Sequence, residues 1–181
     1  MTGRIDPAFW RHKRVLVTGH TGFKGAWLCL ALKRLGCEVA GLSLPAEDPG
    51  LYLQAGIGRL LSAEHLGEIE NYEAVHAFLG KFRPEIVVHF AAQSLVRQSH
   101  RNPRRTFATN VMGTVNLLEA ARHCDDVGVA LIATTDKVYL NMESGRPFRE
   151  DDRQRGLEPY SASKAATEIV AACWRARYLQ G

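Results

Sequence analysis

Two side chains that can exchange protons stand four positions apart in the segment YSASK: Tyr160 and Lys164. Side chains at this spacing lie on one face of an α-helix, so the Lys164 ammonium would lie beside the Tyr160 phenol. A neighbouring positive charge stabilises a phenolate, which makes Tyr160 a candidate base for an alcohol proton while hydride leaves for a cofactor. Such a pair also arises by chance, so the assignment depends on the rest of the chain.

The segment GHTGFKG, residues 19–25, follows a short apolar run and precedes a helix-like pattern. That context is typical of a turn that holds the diphosphate of a dinucleotide at a helix N-terminus. Gly19 would form the tight turn, Gly22 would admit the phosphates, and Gly25 would let the helix pack closely. The spacing is GxxGxxG rather than GxGxxG, and the alternative is a glycine-rich turn without a ligand. The candidate cofactor-binding residues of this segment are Gly19, Thr21, Gly22, Phe23, Lys24 and Gly25.

A second polar cluster, Thr135, Asp136 and Lys137, follows an apolar run at residues 127–134. The carboxyl ends of parallel strands face the ligand crevice of α/β folds, so these side chains would meet a substrate. Thr135 could hydrogen-bond the alcohol that Tyr160 deprotonates, and Asp136 and Lys137 could act as an acid and a base. The alternative is a solvated turn that carries an ordinary ion pair.

These residues need a scaffold in which strands and helices alternate. Apolar β-branched runs predict strands at residues 13–18, 37–44, 65–69, 85–91 and 127–134. Helical periodicity predicts helices at residues 23–35, 71–82, 103–123 and 160–179, with Asn71 as an N-cap. The polar stretch 140–157 is expected to be an ordered functional loop or a lid. The alternation gives an α/β, Rossmann-type, doubly wound parallel sheet of order 3-2-1-4-5, with a ligand crevice where the order reverses.

Composition indicates one globular domain. The chain has 181 residues, 46% of them hydrophobic and 23% charged, which excludes a disordered chain. No apolar run is long enough for a membrane span, and the N-terminus lacks an apolar signal segment, so a cytoplasmic protein is expected. Four cysteines without a CxxC pair argue against a metal site and favour buried, reduced thiols.

Two features of the chain leave its ligands partly open. Residues 42–45, LSLP, stand where NAD enzymes place an acid and NADP enzymes an arginine, so the residues alone do not choose between these cofactors. The net charge of +4 permits an anionic partner. Arg101, Arg104 and Arg105 look solvated and are not interleaved with aromatic residues, so no nucleic-acid partner is expected.

Several segments together resemble the extended short-chain dehydrogenase/reductase superfamily, and within it the sugar-nucleotide 4,6-dehydratases, most closely those acting on CDP-glucose. The segments are DPAFWRHKRVLVTGHTGFKGAW, VVHFAAQSLVRQS, FATNVMGTVNLLEA, TTDKVY and REDDRQRGLEPYSASKAATE, and the resemblance runs over residues 6–168. The pair Asp136-Lys137 separates this chain from dTDP-glucose and GDP-mannose dehydratases, which resemble it but carry an acidic pair here.

The resemblance implies an internal redox cycle with a retained NAD and a CDP-glucose substrate. Tyr160 would take the proton of the glucose C4 hydroxyl, aided by Thr135 and Lys164, while hydride leaves C4. Lys137 would then take the C5 proton, and Asp136 would protonate the departing C6 hydroxyl. Hydride would return to C6 and a proton to C5, giving a 4-keto-6-deoxy sugar.

The resemblance also implies further cofactor-binding residues: Glu68, Ile69, Ala91, Ala92, Gln93 and Asn110. The family pattern GDIRD at the end of the third strand is replaced by GEIEN, so Glu68 stands for the Asp that contacts adenine and Glu70 for the Arg. His89 precedes this group and is interpreted as a packed strand residue.

Members of this family extend through a second, substrate-binding half. Residues 1–181 are therefore expected to be an NAD(P)-binding Rossmann domain without the substrate domain. The alternatives are a cofactor-binding fragment without turnover, and another family enzyme such as a sugar-nucleotide epimerase or a GDP-mannose dehydratase. The resemblance further implies a homodimer through the helices at residues 103–123 and 160–179, although the sheet could equally cover their apolar faces.

Overall fold

The computed structural model describes residues 5–47, 49–143 and 145–178. Its strands are β1 (Arg14–Thr18), β2 (Glu38–Ser43), β3 (Ala63–Leu66), β4 (Ile86–His89) and β5 (Val129–Ile132). They form one parallel sheet in the order β3-β2-β1-β4-β5, which confirms the predicted Rossmann-type fold and strand order. β1 lies at the centre, so its carboxyl end stands where the chain reverses direction across the sheet.

The third strand begins earlier than the sequence predicted. It starts at Ala63 rather than at residue 65. Its residues pair with β2 from Ala40 and Ala63 to Ser43 and Leu66. Along β3 the residues alternate between half-buried and exposed, which is a weak apolar signal for an edge strand. The residues that follow it leave the sheet instead of extending it.

The described residues form eight α-helical segments, of which the first precedes the first strand and the eighth follows the last. They are α1 (Pro7–Trp10), α2 (Phe23–Arg34), α3 (Leu51–Gln54), α4 (Tyr72–Phe82), α5 (Val96–Arg101), α6 (Pro103–Phe107), α7 (Gly113–Arg122) and α8 (Pro159–Arg177). The Asn71 side chain caps α4 by accepting from the Ala74 N–H at 3.2 Å, as predicted. The segments α1 and α5 were not predicted, because one or two turns are too short to show helical periodicity.

The helix predicted at residues 103–123 is interrupted. A π-helical turn, Ala108–Met112, separates α6 from α7. Within it the Asn110 carbonyl accepts hydrogen bonds from the side chains of Thr114, at 2.7 Å, and Thr167, at 3.0 Å. Hydroxyl groups that compete for a backbone carbonyl disturb the helical ladder, which gives a physical reason for the wider turn.

Each face of the sheet carries its own apolar layer. Along β1, Val15 and Val17 pack against α2, whereas Leu16 belongs to the opposite layer with α4 and α7. The α2 layer also contains Cys29, and the opposite layer contains Leu117 of α7. Both faces of the central strand are therefore buried, as expected of a doubly wound sheet.

β5 forms one edge of the sheet, and within the described residues β4 is its only strand partner. Val129 and Leu131 are 52% and 51% exposed, although each pairs in register with a buried residue of β4. The opposite face of β5 is half-buried. The apolar residues of this edge are thus only partly covered.

Three of the four cysteines agree with the prediction of buried thiols, and the polar stretch after β5 is an ordered loop. Cys29, Cys37 and Cys124 are buried and reduced as predicted, whereas Cys173 is exposed because it lies on the outer face of α8. The loop between residues 140 and 157 is tied down by backbone bonds from Leu140 N–H to the Arg153 carbonyl and from Arg155 N–H to the Val138 carbonyl, both 2.8 Å.

Across the three described ranges, the helices lack the combined length and apolarity needed to cross a bilayer. The same residues hold no cluster of three histidine, cysteine or acidic side chains suited to a metal ion.

Helix α2 begins very close to the turn before it. A Cβ atom on Gly25 would lie 2.7 Å from the Cα of His20 and closer still to the Gly19 carbonyl oxygen. These are backbone atoms that cannot rotate away. Gly25 thus allows close packing of α2, as the sequence predicted. The backbone that it approaches belongs to the turn rather than to the strand.

We expect Gly25→Ala to lower the free energy of unfolding by about 1–3 kcal/mol, the range for overpacking in a close-packed site. Gly80→Ala is the matched control, because Gly80 is an exposed glycine of α4 with no atom within 4 Å of an added Cβ. That change should stabilise the protein by up to about 1 kcal/mol, since alanine favours helix over glycine. Urea denaturation of both variants measures the difference, and equal stabilities would contradict the crowding argument.

Candidate active site

A cavity of about 660 Å³ opens at the carboxyl ends of the strands. Its walls come from the glycine turn, from the ends of β2 and β3, from the residues after β4 and β5, and from α8. The lining includes every predicted residue of the turn, Gly19, Thr21, Gly22, Phe23, Lys24 and Gly25, together with Glu68, Ile69, Ala91, Ala92, Tyr160 and Lys164. The ligand crevice therefore lies where the strand order predicted it.

The glycine turn lies against the segment that follows β4. Gly19 has φ +72°, and a Cβ atom there would be 2.7 Å from the Ala91 backbone nitrogen. The Gly19 N–H donates to the Leu42 carbonyl at 2.8 Å, which fixes the turn to the end of β2. Both the conformation and the close approach require glycine, in agreement with the tight turn predicted from the sequence.

The N-terminus of α2 points into this cavity without a side-chain cap. Gly22 is the N-cap residue and offers no side-chain hydrogen bond to the first turn. The N–H groups of a first helical turn and the positive end of the helix dipole favour an anion. Lys24 lines the same wall and adds a positive charge. This end of the cavity is built to hold a negatively charged group.

The Thr21 side chain connects the turn to the end of β2. Its hydroxyl hydrogen-bonds the Ser43 hydroxyl at 2.8 Å and donates to the Leu44 carbonyl at 3.0 Å. Thr21 thus acts within the protein, holding two cavity walls together, as well as lining the cavity. The sequence predicted that Thr21 lies at the cavity but not this contact.

Carboxylates dominate the far end of the cavity. Glu47, Glu68 and Glu70 line it, and Arg105 of α6 holds Glu68 through a forked pair of bonds of 2.7 and 2.6 Å. Glu70 lies 3.5 Å from the same guanidinium and accepts from the Thr109 hydroxyl at 2.5 Å. Arg105 is exposed to solvent, as the sequence predicted, and it also forms ion pairs that the sequence did not predict because Glu68 and Glu70 lie in a distant part of the chain.

The start of α8 fixes Tyr160. Glu158 caps the helix by accepting from the backbone N–H groups of Tyr160, at 2.8 Å, and Ser161, at 2.7 Å. Ser161 completes a capping box, and Ser99 of α5 donates to the Glu158 carboxylate at 3.1 Å. These bonds place Tyr160 in the first turn of α8, at the mouth of the cavity.

Lys164 is buried on the same helix, and its ammonium donates to the Ala133 carbonyl at 2.9 Å. Burial lowers the pKa of Lys164 to about 8; Glu168 opposes this shift and Lys24 adds to it. Near neutral pH the side chain is thus mostly protonated but readily gives up its proton. The predicted pairing of Tyr160 and Lys164 in one site is present in the cavity lining.

His89 lies beneath this site and acts as packing. It is 1% exposed and hydrogen-bonds the side chains of Thr18, at 2.6 Å, and Thr114, at 3.1 Å. Burial, with a smaller contribution from the charge of Lys164, lowers the pKa of His89 to about 3. The imidazole is therefore neutral, as expected of the packed strand residue that the sequence suggested.

The cluster after β5 lies outside the cavity lining. Asp136 and Lys137 are exposed on a 3₁₀ turn, Asp136–Val138, which the Thr135 side chain caps. Thr134, which the sequence did not single out, lines the cavity instead and donates to Glu168. The spacing of four residues between Lys164 and Glu168 was the one available signal for this acid.

Gln93 and Asn110 also lie outside the lining. The Asn110 amide accepts from the Gln93 N–H at 2.8 Å and donates to the Gln93 carbonyl at 3.1 Å and to the Ser163 hydroxyl at 2.8 Å. All of these partners belong to the protein, so Asn110 joins the segment after β4 to α8. In this geometry the two residues support the walls of the cavity, and their contact with a cofactor stays a prediction.

Comparison with known proteins identifies the family of this chain. The sequence profile of the family described as GDP-mannose 4,6 dehydratase matches residues 16–179. The chain belongs to this family. The matched range includes the glycine turn, the cluster at residues 135–137 and the pair Tyr160 and Lys164. The family resemblance drawn from the motifs is thereby confirmed.

Individual relatives agree with this membership. The CDP-glucose 4,6-dehydratase of Salmonella typhimurium is 44% identical over 172 residues, which cover 94% of this chain and 48% of that protein. A dTDP-glucose 4,6-dehydratase of Xanthomonas campestris is 32% identical, over 90% of this chain and 49% of that protein. The chain spans about half the length of these relatives.

Among solved structures, the UDP-glucose 4-epimerase of Thermus thermophilus in complex with NAD has a TM-score of 0.78 and 30% sequence identity. The match covers 91% of this chain and 51% of the epimerase. The fold described above is therefore shared with half of a dinucleotide-binding family member.

The buried Lys164 should make stability depend on alkaline pH. Its folded-state pKa of about 8 lies below its ordinary value of 10.5, so the unfolded chain binds more protons between these values and stability rises with pH through that window. Relative to Lys164→Met, the wild-type protein should gain about 3 kcal/mol of unfolding free energy from below pH 8 to near pH 10.5.

Urea denaturation at both ends of this window measures the gain. Lys81→Met, which changes an exposed lysine of α4, is the control and should follow the wild-type profile. Parallel pH profiles for wild type and Lys164→Met would contradict the burial of a titrating ammonium.

Proposed function

We propose that this chain binds NAD in the cavity at the carboxyl ends of its strands. The observation that carries the proposal is the uncapped N-terminus of α2, which meets the glycine turn inside a cavity large enough for a dinucleotide part. A diphosphate fits the free N–H groups, the helix dipole and the Lys24 side chain. The related epimerase structure that contains NAD supports the same reading.

The charge of the far end favours NAD over NADP. Glu47, Glu68 and Glu70 line it, and the nearby Arg105 is held by two of them. A 2′-phosphate would bring further negative charge against these carboxylates, and no arginine is among the described residues that line the cavity. This supports the choice of cofactor that residues 42–45 alone left open.

For the whole protein, we propose dehydration of the sugar nucleotide CDP-glucose to its 4-keto-6-deoxy product. The relative at 44% identity is a CDP-glucose 4,6-dehydratase, and Asp136-Lys137 distinguishes this chain from the related enzymes with an acidic pair. CDP specificity rests on these two points. A sugar-nucleotide epimerase is the competing assignment within the family, since epimerases share the fold.

Within that reaction the residues of this chain move protons. Bound NAD would supply a hydride acceptor and donor. Tyr160 takes the proton of the substrate C4 hydroxyl, and the Lys164 ammonium stabilises the phenolate and orients it. Thr135 hydrogen-bonds the same hydroxyl.

Elimination then needs a second acid and base. Lys137 accepts the C5 proton, and Asp136 in its protonated form gives its proton to the leaving C6 hydroxyl, so that one water molecule departs. Because both side chains are exposed on the 3₁₀ turn, they are free to approach a substrate held over the cavity mouth.

A second candidate is a cofactor-binding fragment without turnover. One observation favours it: residues 135–137 do not line the cavity. Binding of NAD without reduction on addition of CDP-glucose would identify this case.

We also propose that the protein forms a homodimer. The support is two exposed apolar side chains: Met112, which directly precedes α7, and Ile169 on α8. The cytoplasmic location and the lack of a nucleic-acid partner stay predictions from the sequence.

NAD binding can be tested at Gly22. Its φ of −77° and ψ of 168° suit any residue, so Gly22→Val should fold, but the branched side chain would stand before the N–H groups of α2. We expect at least about a tenfold loss of NAD affinity, roughly 1.4 kcal/mol, by isothermal titration calorimetry. Gly80→Ala serves as the control and should bind like wild type, which should also prefer NAD to NADP. Unchanged binding by Gly22→Val would place the diphosphate elsewhere.

The role of Lys137 can be tested by separating the two chemical stages. With CDP-glucose and bound NAD, Lys137→Ala should still reduce the cofactor, seen as nicotinamide absorbance, but should not lose water, seen by mass spectrometry of the sugar nucleotide. Lys81→Ala is the matched control. Equal loss of both stages would contradict the proposed base, and no reduction by the wild-type chain would favour the fragment without turnover.

A further inference from the structure

His20 stands inside the glycine turn, yet its side chain points away from the cavity and is completely buried. It does not line the cavity, although its neighbours Gly19 and Thr21 do. Its Nε2 atom lies 2.8 Å from Oε1 of Glu64, a residue of β3 that is 44 positions away in the chain. The side chain thus connects the turn at the end of β1 with a strand two places away in the sheet.

The path of this side chain crosses β2 at a glycine. A Cβ atom on Gly41 would lie 2.5 Å from the imidazole ring, so any other residue there would displace His20. Gly41 pairs in register with Val17 of β1 and with Glu64 of β3. The ring therefore lies across the backbone of β2 in the same row of residues that its hydrogen bond joins.

Glu64 is itself held in place from a third element. The Tyr52 hydroxyl of α3 donates to Glu64 Oε1 at 2.5 Å, and the Tyr52 ring packs edge-on against His20 at 5.5 Å between centroids. Burial, followed by the bond to Glu64, raises the pKa of Tyr52 to about 12, so its hydroxyl stays a donor. The carboxylate accepts from both rings, and its position is fixed on two sides.

The arrangement carries a cost to stability that an apolar residue would avoid. His20 Nδ1 is buried without a hydrogen-bond partner among the described residues. A buried polar atom left unpaired is unfavourable, whereas an aliphatic side chain could fill the same space without one. The one bond that the ring does make ties the glycine turn to β3. A local loss of this kind is expected where a residue serves a site rather than the core.

We propose that His20 is a positioning residue: through its hydrogen bond to Glu64 it holds the glycine turn in the geometry that receives the cofactor diphosphate. This rests on the NAD binding proposed above. The end of β3 leads directly into Glu68 and Ile69, so the same bond keeps the diphosphate turn in register with the far wall of the cavity. A residue that does not touch the ligand can act in this way by restricting the motion of the groups that do.

The test compares variants at the two ends of the bond. His20→Leu fills the space without the bond, and Glu64→Ala removes the acceptor from outside the cavity. Each should weaken NAD binding about tenfold by titration calorimetry, the equivalent of one hydrogen bond of roughly 1.4 kcal/mol. Because both remove the same interaction, the double variant should be no weaker than either single one. His20→Gln, whose amide can still donate to Glu64, should restore binding to within about threefold of wild type.

A readout without ligand separates this proposal from the proposed function. Amide hydrogen exchange of residues 19–25 should be faster by about tenfold in His20→Leu and Glu64→Ala than in wild type or His20→Gln. Glu85→Ala is the matched control: it removes a carboxylate paired with Lys13 at the opposite ends of the strands, and should leave NAD affinity and exchange in the turn unchanged.

The outcomes are distinct. Absence of NAD binding by the wild-type protein would overturn the proposed function, while faster exchange in the turn would still support the positioning role. Wild-type affinity and exchange in Glu64→Ala would overturn the positioning role even if His20→Leu fails to fold. Affinity that falls in step with melting temperature, and equally in His20→Gln and His20→Leu, would show that His20 only fills space.

Discussion

The backbone of the glycine turn packs against the segment after β4 and against the start of α2, and the rest of the site depends on these contacts. At Gly19 the neighbour is the segment after β4, and at Gly25 it is the turn itself. Without side chains at these points, the central strand, its neighbour and the first long helix converge within a few ångströms. The N–H groups of α2, the residues after β4 and the mouth of the cavity are therefore positioned by one set of packed peptide groups, whose geometry varies little.

The second organising feature is the distribution of charge around this convergence. His89 and Lys164 are both buried basic groups, and the cost of burying two charges together is avoided because His89 is neutral. Lys164 keeps its ammonium on the Ala133 carbonyl, close to Glu168. The far end of the cavity carries carboxylates and the near end a helix N-terminus with Lys24. The cavity thus has a positive end and a negative end, which gives an elongated ligand one preferred direction.

Much of the fold could be predicted from the sequence because its signals are local. The individual strands, the glycine turn and the Asn71 cap depend on residues within a few positions of one another, and the alternation of strands and helices then predicts the strand order. The interrupted helix at Ala108–Met112 could not, because it depends on Thr167 approaching Asn110 from another helix. The same reason accounts for Arg105, whose partners lie after β3, and for Gln93 and Asn110, whose amide and backbone groups bond each other rather than facing the cavity. Spacing places Thr135, Asp136 and Lys137 at the end of a strand but says nothing of the turn that carries them away from the lining.

The edge formed by β5 has a consequence for the extension of the sheet. Its sequence VALI contains neither the charged residues nor the proline with which exposed strands are commonly protected. Peptide groups along that edge, together with the half-exposed Val129 and Leu131, offer a parallel strand both hydrogen bonds and apolar cover. Such an edge is complementary to any extended segment of alternating apolar residues that reaches it. Within the described residues, this edge is therefore the place where a further parallel strand can extend the sheet beyond β5.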